Sequence, residues 1–178
     1  FYDLNKLFIE NYLEFNSNLN KNFNLTILRI TNVYGETNSK QFQKNRGFIN
    51  NVIKKMVNKD VTTIFGDGKY KRNYIHISDV IDALIIAMKN NKIYGKTLIL
   101  NSKDNYKLIE VIYKIKHIIE TLSEDELKLI FINNESSSNK TDFRNFSSSD
   151  NTFSKHTGWK LKHNIENSLR GNILKKIK

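Results

Sequence analysis

Residues 62–83, TTIFGDGKYKRNYIHISDVIDA, constrain the fold more than any other stretch of this chain. Thr62, Ile64 and Phe65 favour extended structure. Gly66-Asp67-Gly68 supplies turn residues that accept positive φ. Tyr74, Ile75, His76 and Ile77 resume the extended pattern. Ser78 is then placed to cap a helix, with Asp79 and Asp82 early in it, where the helix dipole favours carboxylates. Val80, Ala83, Leu84 and Ala87 follow at helical spacing. The stretch therefore predicts strand, tight turn, strand and helix in immediate succession. Arg72 is one of only five arginines among 29 basic residues, and it opens the second strand. A guanidinium fixed there can fork onto phosphate oxygens. The alternative is a surface hairpin with a solvated arginine.

Strands and helices alternate along the rest of the chain. Residues 1–21 predict a helix with an apolar stripe of Leu4, Leu7, Phe8, Tyr12, Phe15 and Leu19. Tyr2 and Lys6 lie at i and i+4, on one face. Residues 25–31, LTILRIT, read as a strand buried in a parallel sheet. Asn32 follows it, where ligands of open α/β sheets bind, although Asn is also a turn former that bonds its own backbone. Residues 36–45 are polar and predict a loop. Residues 47–58 and 107–121 return to helical spacing, and residues 97–101 and 127–132 predict strands. Residues 133–152 are rich in Ser and Asn, which points to a flexible loop. A short helix over 151–157 and a last one over 163–176 complete the chain, with Trp159 between them as a core residue. The pattern predicts an α/β protein.

Composition narrows the function classes. The chain has 178 residues, 39% hydrophobic and 26% charged, which suits one domain with a sizeable core. No run of about 18 apolar residues occurs, which argues against a membrane helix. Cysteine is absent, so disulfides and thiolate metal sites are excluded and a reducing, cytoplasmic setting is expected. His76, His117, His156 and His163 show no metal-ligand spacing. The net charge of +11 raises the possibility of a basic module for RNA or another polyanion. The excess is Lys spread over every segment, with only Tyr70 to Tyr74 interleaving aromatics and cations, so a specific nucleic-acid partner is not expected. No glycine-rich phosphate loop of either the dinucleotide or the Walker kind is present in the sequence.

Residues 62–83 resemble, without a gap, the segment of the extended short-chain dehydrogenase/reductase family that reads roughly IxIFGDGxxxRDYIHVxDVxxA. This is the family of the nucleotide-sugar epimerases and dehydratases. Asn73 departs from it, standing where the family has Asp. Two further motifs follow the family's order: YDLNK matches its Tyr-x-x-x-Lys pair, and LRITNVYGE matches LRxxNVYGP apart from Glu36. The resemblance is close over residues 2–100 and weaker over 140–170, where Gly158-Trp159 is clear and the family's preceding Asp aligns with Ser149 or Asp150.

The resemblance implies a Rossmann-type parallel sheet, of which this chain is the C-terminal part, plus a small mixed α/β substrate-binding domain. Residues 1–35 would end the Rossmann-type domain. Residues 36–178 would be mainly the substrate domain, with some helices returning to the first. It further implies NAD as cofactor, a nucleotide sugar (a UDP-sugar first) as substrate, and Tyr2 and Lys6 as the catalytic pair. Tyr2, Lys6, Ile30 and Thr31 would meet the cofactor. Asn32, Gly47, Phe48, Ile64, Phe65, Arg72 and Arg144 would meet the substrate. Asn50 takes the place of the family's helix-starting Pro. A homodimer is expected through the helix over 1–21. The expected reaction is 4-epimerisation, as of UDP-glucose, by transient hydride transfer, with a 4,6-dehydratase as the alternative. The chain begins without Met inside a predicted helix, so an N-terminally truncated protein or an inactive remnant is also an expectation.

Overall fold

The computed structural model describes residues 2–35, 47–132 and 145–177, with the Tyr2 side chain outside that description. The elements in order are α1 (Tyr2–Leu19), β1 (Thr26–Ile30), β2 (Asn32–Tyr34), α2 (Phe48–Val57), β3 (Thr62–Phe65), β4 (Lys71–His76) and α3 (Ile77–Met88). A 3-10 turn over Asn91–Ile93 leads to β5 (Lys96–Leu100), β6 (Asn105–Lys107), α4 (Leu108–Ser123), β7 (Leu129–Ile132), α5 (Thr152–Thr157) and α6 (Ile165–Ile177).

Among the described residues the strands form three small sheets. β1 pairs in parallel with β5, Ile27 opposite Thr97 and Ile30 opposite Leu100. β4 is central to the second sheet, parallel to β2 on one side and antiparallel to β6 on the other. β3 pairs in parallel with β7. The α/β architecture with parallel pairing agrees with the sequence. Residues 62–76 nevertheless form no hairpin. Gly66 and Gly68 both take positive φ, 70° and 64°, but the turn sends its two strands to different sheets.

Two details differ from the sequence reading for physical reasons. The cap of α3 is His76, whose Nδ1 accepts from the Ser78 backbone N–H at 3.3 Å, so Ser78 lies inside the helix. The strand over 25–31 is only half covered: Ile30 is 39% exposed. Its described neighbour is β5 alone, so one edge of the strand has no partner among the described residues.

The described residues pack into two hydrophobic cores. One joins α2, α4 and α6 around Ile53, Ile112, Ile115, Leu169 and Ile173, together with Tyr34, Ile64 and Tyr74. The other gathers Ile75, Val80, Ala83, Ala87, Leu98, Leu100, Phe153 and Trp159. Trp159 is in the core, edge-on to Phe153 at 5.7 Å between centroids. β4 serves both cores because alternate side chains of a strand face opposite ways: Tyr74 enters the first and Ile75 the second.

Asp79 ties the end of the chain to this frame. It is fully buried and accepts from the backbone N–H groups of Lys162 and His163, both at 3.1 Å. His163 Nδ1 lies 3.0 Å from the same carboxylate, and its ring stacks on His76 at 4.3 Å. Such charge-assisted bonds satisfy a carboxylate that would otherwise be costly to bury.

Candidate active site

The direction of α1 follows from its polar contacts with the first sheet. Glu10 holds Arg29 through a two-pronged ion pair, 3.1 Å to Nε and 2.6 Å to Nη2. Arg29 keeps the Glu10 carboxyl below its ordinary value, chiefly through that hydrogen bond. Glu14 accepts from the Thr97 hydroxyl at 3.2 Å, and Thr97 sits opposite Ile27. Ser17 donates to the Phe23 carbonyl. Moving up α1 from residue 10 to 17 thus means moving back along β1 from residue 29 to 23. The helix runs antiparallel to the strand, and its amino end projects past the strand's carboxyl end. Tyr2, Lys6 and Glu10 share one face at i, i+4 and i+8. At about 1.5 Å per residue, the Lys6 backbone lies roughly 6 Å beyond Glu10 and that of Tyr2 roughly 12 Å. The exposed Glu10–Arg29 pair contributes little stability; its effect is orientation.

At that carboxyl end the chain passes directly from β1 into β2. Thr31 is buried, and its hydroxyl reaches Asn73 Oδ1 at 2.9 Å. Any contact of Thr31 with a ligand is therefore left to its backbone. Asn32 is exposed, but its amide nitrogen donates to the Asn73 carbonyl at 2.9 Å. The bond fixes the side chain through one of its two N–H donors. Gly35 follows, with φ 132°, and its carbonyl accepts from Asn50 Nδ2 at 2.9 Å. Asn50 thus fastens the start of α2, with Gly47 exposed and Phe48 half-buried, to the NVYG turn. Burial raises the phenol pKa of Tyr34 and of Tyr74, which makes both poor proton acceptors.

The remaining predicted contacts are distributed over the second and third sheets. Ile64 is buried in the first core, while Phe65 at the end of β3 is 44% exposed. Ile64 therefore supports the surface and Phe65 presents one. Arg72 stands opposite Tyr106 of β6 and bridges to Phe146 on the other side. Its guanidinium lies over the Tyr70 ring at 4.8 Å, and Nη1 donates to the Lys71 carbonyl. It is held in place rather than sweeping through solvent. Arg144 lies outside the described residues. Asp150, one of the two positions aligned with the family's Asp, accepts from the Thr152 N–H at 2.7 Å at the start of α5.

A cavity of about 200 Å³ lies between α1 and the amino ends of β1 and β5, lined among others by Glu14, Ser17, Leu25 and Lys96. It is at the opposite end of the strands from Asn32 and contains none of the predicted residues. Among the described residues no group of three His, Asp or Glu could hold a metal, and no helix is long and apolar enough to cross a membrane.

Parallel strands with a Tyr-x-x-x-Lys helix laid antiparallel against them define a Rossmann-type α/β protein. The sequence model of the NAD dependent epimerase/dehydratase family matches residues 1–101, and the chain belongs to that family. NAD is the family's cofactor. On this chain the amino-terminal turns of α1 extend past the carboxyl end of β1, where Ile30 is 39% exposed.

A protein of Methanocaldococcus jannaschii provisionally named UDP-glucose 4-epimerase is 29% identical over 136 residues, 74% of this chain and 44% of its own length. The UDP-N-acetyl-alpha-D-glucosaminuronate decarboxylase of Bacillus cytotoxicus is 29% identical over 100 residues, 56% of this chain and 30% of its own. The UDP-N-acetylglucosamine 4-epimerase of Methanobrevibacter ruminantium shares the fold, with a TM-score of 0.78 at 17% identity over 97% of this chain and 52% of that one. The chain thus spans less than half the length of these curated relatives and about half of the solved structure.

The sequence reading missed the polar cluster around Asn73. Its partners Ser102, Asp104 and Asn105 lie in NSKDNY, a run that looks like an ordinary loop. The departure at position 73 was the available signal.

Proposed function

We propose that the protein is an NAD-dependent nucleotide-sugar 4-epimerase of the UDP-glucose kind, with Tyr2 and Lys6 as its catalytic pair. The observation that carries this reading is the antiparallel packing of α1 on β1, clamped by Glu10 and Arg29. That packing supports a place for the Tyr2–Lys6 turn beyond the strand ends, where α/β sheets bind ligands. The 4-epimerase choice is supported by the M. jannaschii relative, matched over 74% of this chain. NAD, when bound, supplies the hydride acceptor. Tyr2 takes the proton of the sugar's 4-hydroxyl, and the Lys6 ammonium one turn away lowers the phenol pKa. Lys6, Ile30 and the Thr31 backbone orient the cofactor. Asn32, Phe65, Arg72, Arg144 and the Gly47–Phe48 end of α2 hold the nucleotide sugar, with Ile64 behind them. Residues 1–35 end the cofactor domain, and residues 36–178 are mainly the substrate domain.

Incubation with UDP-glucose and NAD, with products resolved by NMR, tests the reaction. The C4 epimer is expected. A 4-keto-6-deoxy sugar would make the protein a dehydratase instead, and carbon dioxide released in a parallel incubation with UDP-glucuronate would make it a decarboxylase.

Arg72 gives a separate test of the substrate site. A charge-assisted contact with phosphate contributes about 1.5–3 kcal/mol, so Arg72→Ala is expected to weaken UDP binding about 10- to 150-fold by calorimetry. Arg72→Lys should recover only part, since an ammonium cannot fork. Unchanged UDP affinity in Arg72→Ala would remove it from the site.

The assembly proposed is a two-fold dimer through α1. Leu4, Phe8, Tyr12 and Phe15 are 67%, 70%, 59% and 62% exposed, an apolar stripe of the kind that marks an interface. Sedimentation at micromolar concentration should give twice the chain mass, and Phe15→Glu should halve it. A monomer in both cases would exclude this interface.

A further inference from the structure

Asn73 is completely buried at the junction of β2, β4 and β6. Its Oδ1 accepts from the Ser102 backbone N–H at 3.0 Å and from the Thr31 hydroxyl at 2.9 Å, with the Ser102 hydroxyl at 3.3 Å. Its Nδ2 points at the Ser102 and Asp104 carbonyls, each at 3.1 Å, and at Asn105 Oδ1, also at 3.1 Å. Backbone groups fix this orientation, because an N–H only donates and a carbonyl only accepts. Asn105 is pinned in the same way, accepting from the Ser148 N–H and donating to the Ser148 carbonyl. The pocket therefore offers donors on one side and three oxygen acceptors on the other. That is the pattern of a neutral amide. An ionised carboxylate would turn an acceptor toward three acceptors, away from water.

We propose that Asn73 is a positioning residue: as a neutral amide it locks the carboxyl end of β1, with Thr31 and Asn32, to residues 102–105, in a pocket that admits a carboxyl group only when protonated. The part of this inference that concerns substrate rests on the reading of Asn32 given above, since the Asn73 carbonyl is what holds the Asn32 amide.

The expected pH dependence has a definite sign. In Asn73→Asp the new carboxyl would have a folded-state pKa above its unfolded value of about 3.9. Its penalty is then absent below that unfolded value and grows as pH rises toward the folded pKa. Relative to wild type, the folding equilibrium constant should fall tenfold per pH unit across that window. The other titratable groups on surrounding elements are Lys71, Arg72, Tyr74 and His76 on β4, Tyr34 on β2, Arg29 on β1, Lys96 on β5, Lys103 and Asp104 before β6, Tyr106 and Lys107 on it, and Asp150 beside Ser148. They are common to both proteins, so the comparison with wild type largely cancels them.

The test is urea unfolding of the 178-residue chain as wild type, Asn73→Asp and Asn73→Leu, from pH 4 to 8, with UDP titrated into each. Asn73→Leu should be less stable than wild type by a pH-independent factor. Asn73→Asp should approach wild type at pH 4 and lose at least a hundredfold in the folding constant by pH 8. If it is already unfolded at pH 8, the pH at which acid restores its structure gives the same reading. Its UDP affinity should recover on the same acid limb, measured against wild type at each pH, as should the Asn32 side-chain amide resonance. A pH-independent gap between Asn73→Asp and wild type, or equal stability at pH 8, would overturn the proposal. Wild type that binds no UDP while the stability pattern holds would remove the substrate role of Asn32 and leave the amide lock standing.

Discussion

Tyr2→Phe is expected to lower kcat by roughly 10²–10⁴, with affinities for NAD and UDP-sugar within a few-fold of wild type. Oxidation of a sugar hydroxyl requires that its proton be taken as the C4 hydrogen departs. A free phenol, with a pKa of about 10, is a weak base at neutral pH. In the proposed mechanism Lys6, one turn along α1, stabilises the phenolate. The other tyrosines near the strand ends, Tyr34 and Tyr74, are driven the opposite way by burial, so neither can substitute. Phe keeps the ring and removes only the proton acceptor. Lys6→Met should impair turnover and cofactor binding together, because the proposed mechanism gives the ammonium both tasks. The measurement is single-turnover reduction of NAD by nucleotide sugar, with Tyr2→Phe beside wild type. Equal rates would detach the reaction from α1.

The largest stability effect is expected at Gly35. A Cβ there would lie 2.6 Å from Ile77 Cγ2 and 3.1 Å from His76 Nε2. Neither neighbour can withdraw easily. Ile77 opens α3, and the His76 ring is stacked on His163 at 4.3 Å. Overpacking costs about 1–3 kcal/mol, and a non-glycine residue at positive φ adds about 1–2 kcal/mol. Gly35→Ala should therefore cost about 2–5 kcal/mol, a large share of the roughly 5–15 kcal/mol that stabilises a domain. Gly158→Ala is the control: φ is 73° there, but nothing lies within 4 Å of the added Cβ, so only the backbone cost applies. Urea midpoints at constant m-value measure both. A Gly35→Ala shift no larger than that of Gly158→Ala would mean the NVYG turn yields freely.

The local sequence carried the elements well. α3 and α4 appeared with nearly their full extent because their apolar residues recur at helical spacing. The turn at Gly66 and Gly68 was legible because positive φ has a residue signature. Pairing partners were not: β3 and β4 look like a hairpin, yet β3 pairs with residues 129–132 and β4 with residues 32–34. β6 was invisible because Asn-Tyr-Lys has no strand pattern, and its pairing with β4 supplies the structure. The same limit applies to the candidate site. YDLNK and NVYG were readable as motifs, and the departure at Asn73 stood out. Which way α1 runs over β1, and what Asn73 bonds, depend on groups far along the chain. Thr31 is 42 residues from Asn73, and Ser102 is 29.

The Asp79 anchor has a consequence for how the chain is made. Its partners, Lys162 and His163, come 83 and 84 residues later. At synthesis rates of about 5–20 residues per second, the His163 partner arrives roughly 4–17 s after Asp79 is added. Through that interval the β4–α3 corner carries a charged group that has nothing to close over it, and the second core still lacks Phe153 and Trp159. The nascent chain therefore cannot seal this corner from its amino end onward. It waits for its last helices, and a ribosome that stalls between residues 80 and 160 releases a polypeptide with its interior open.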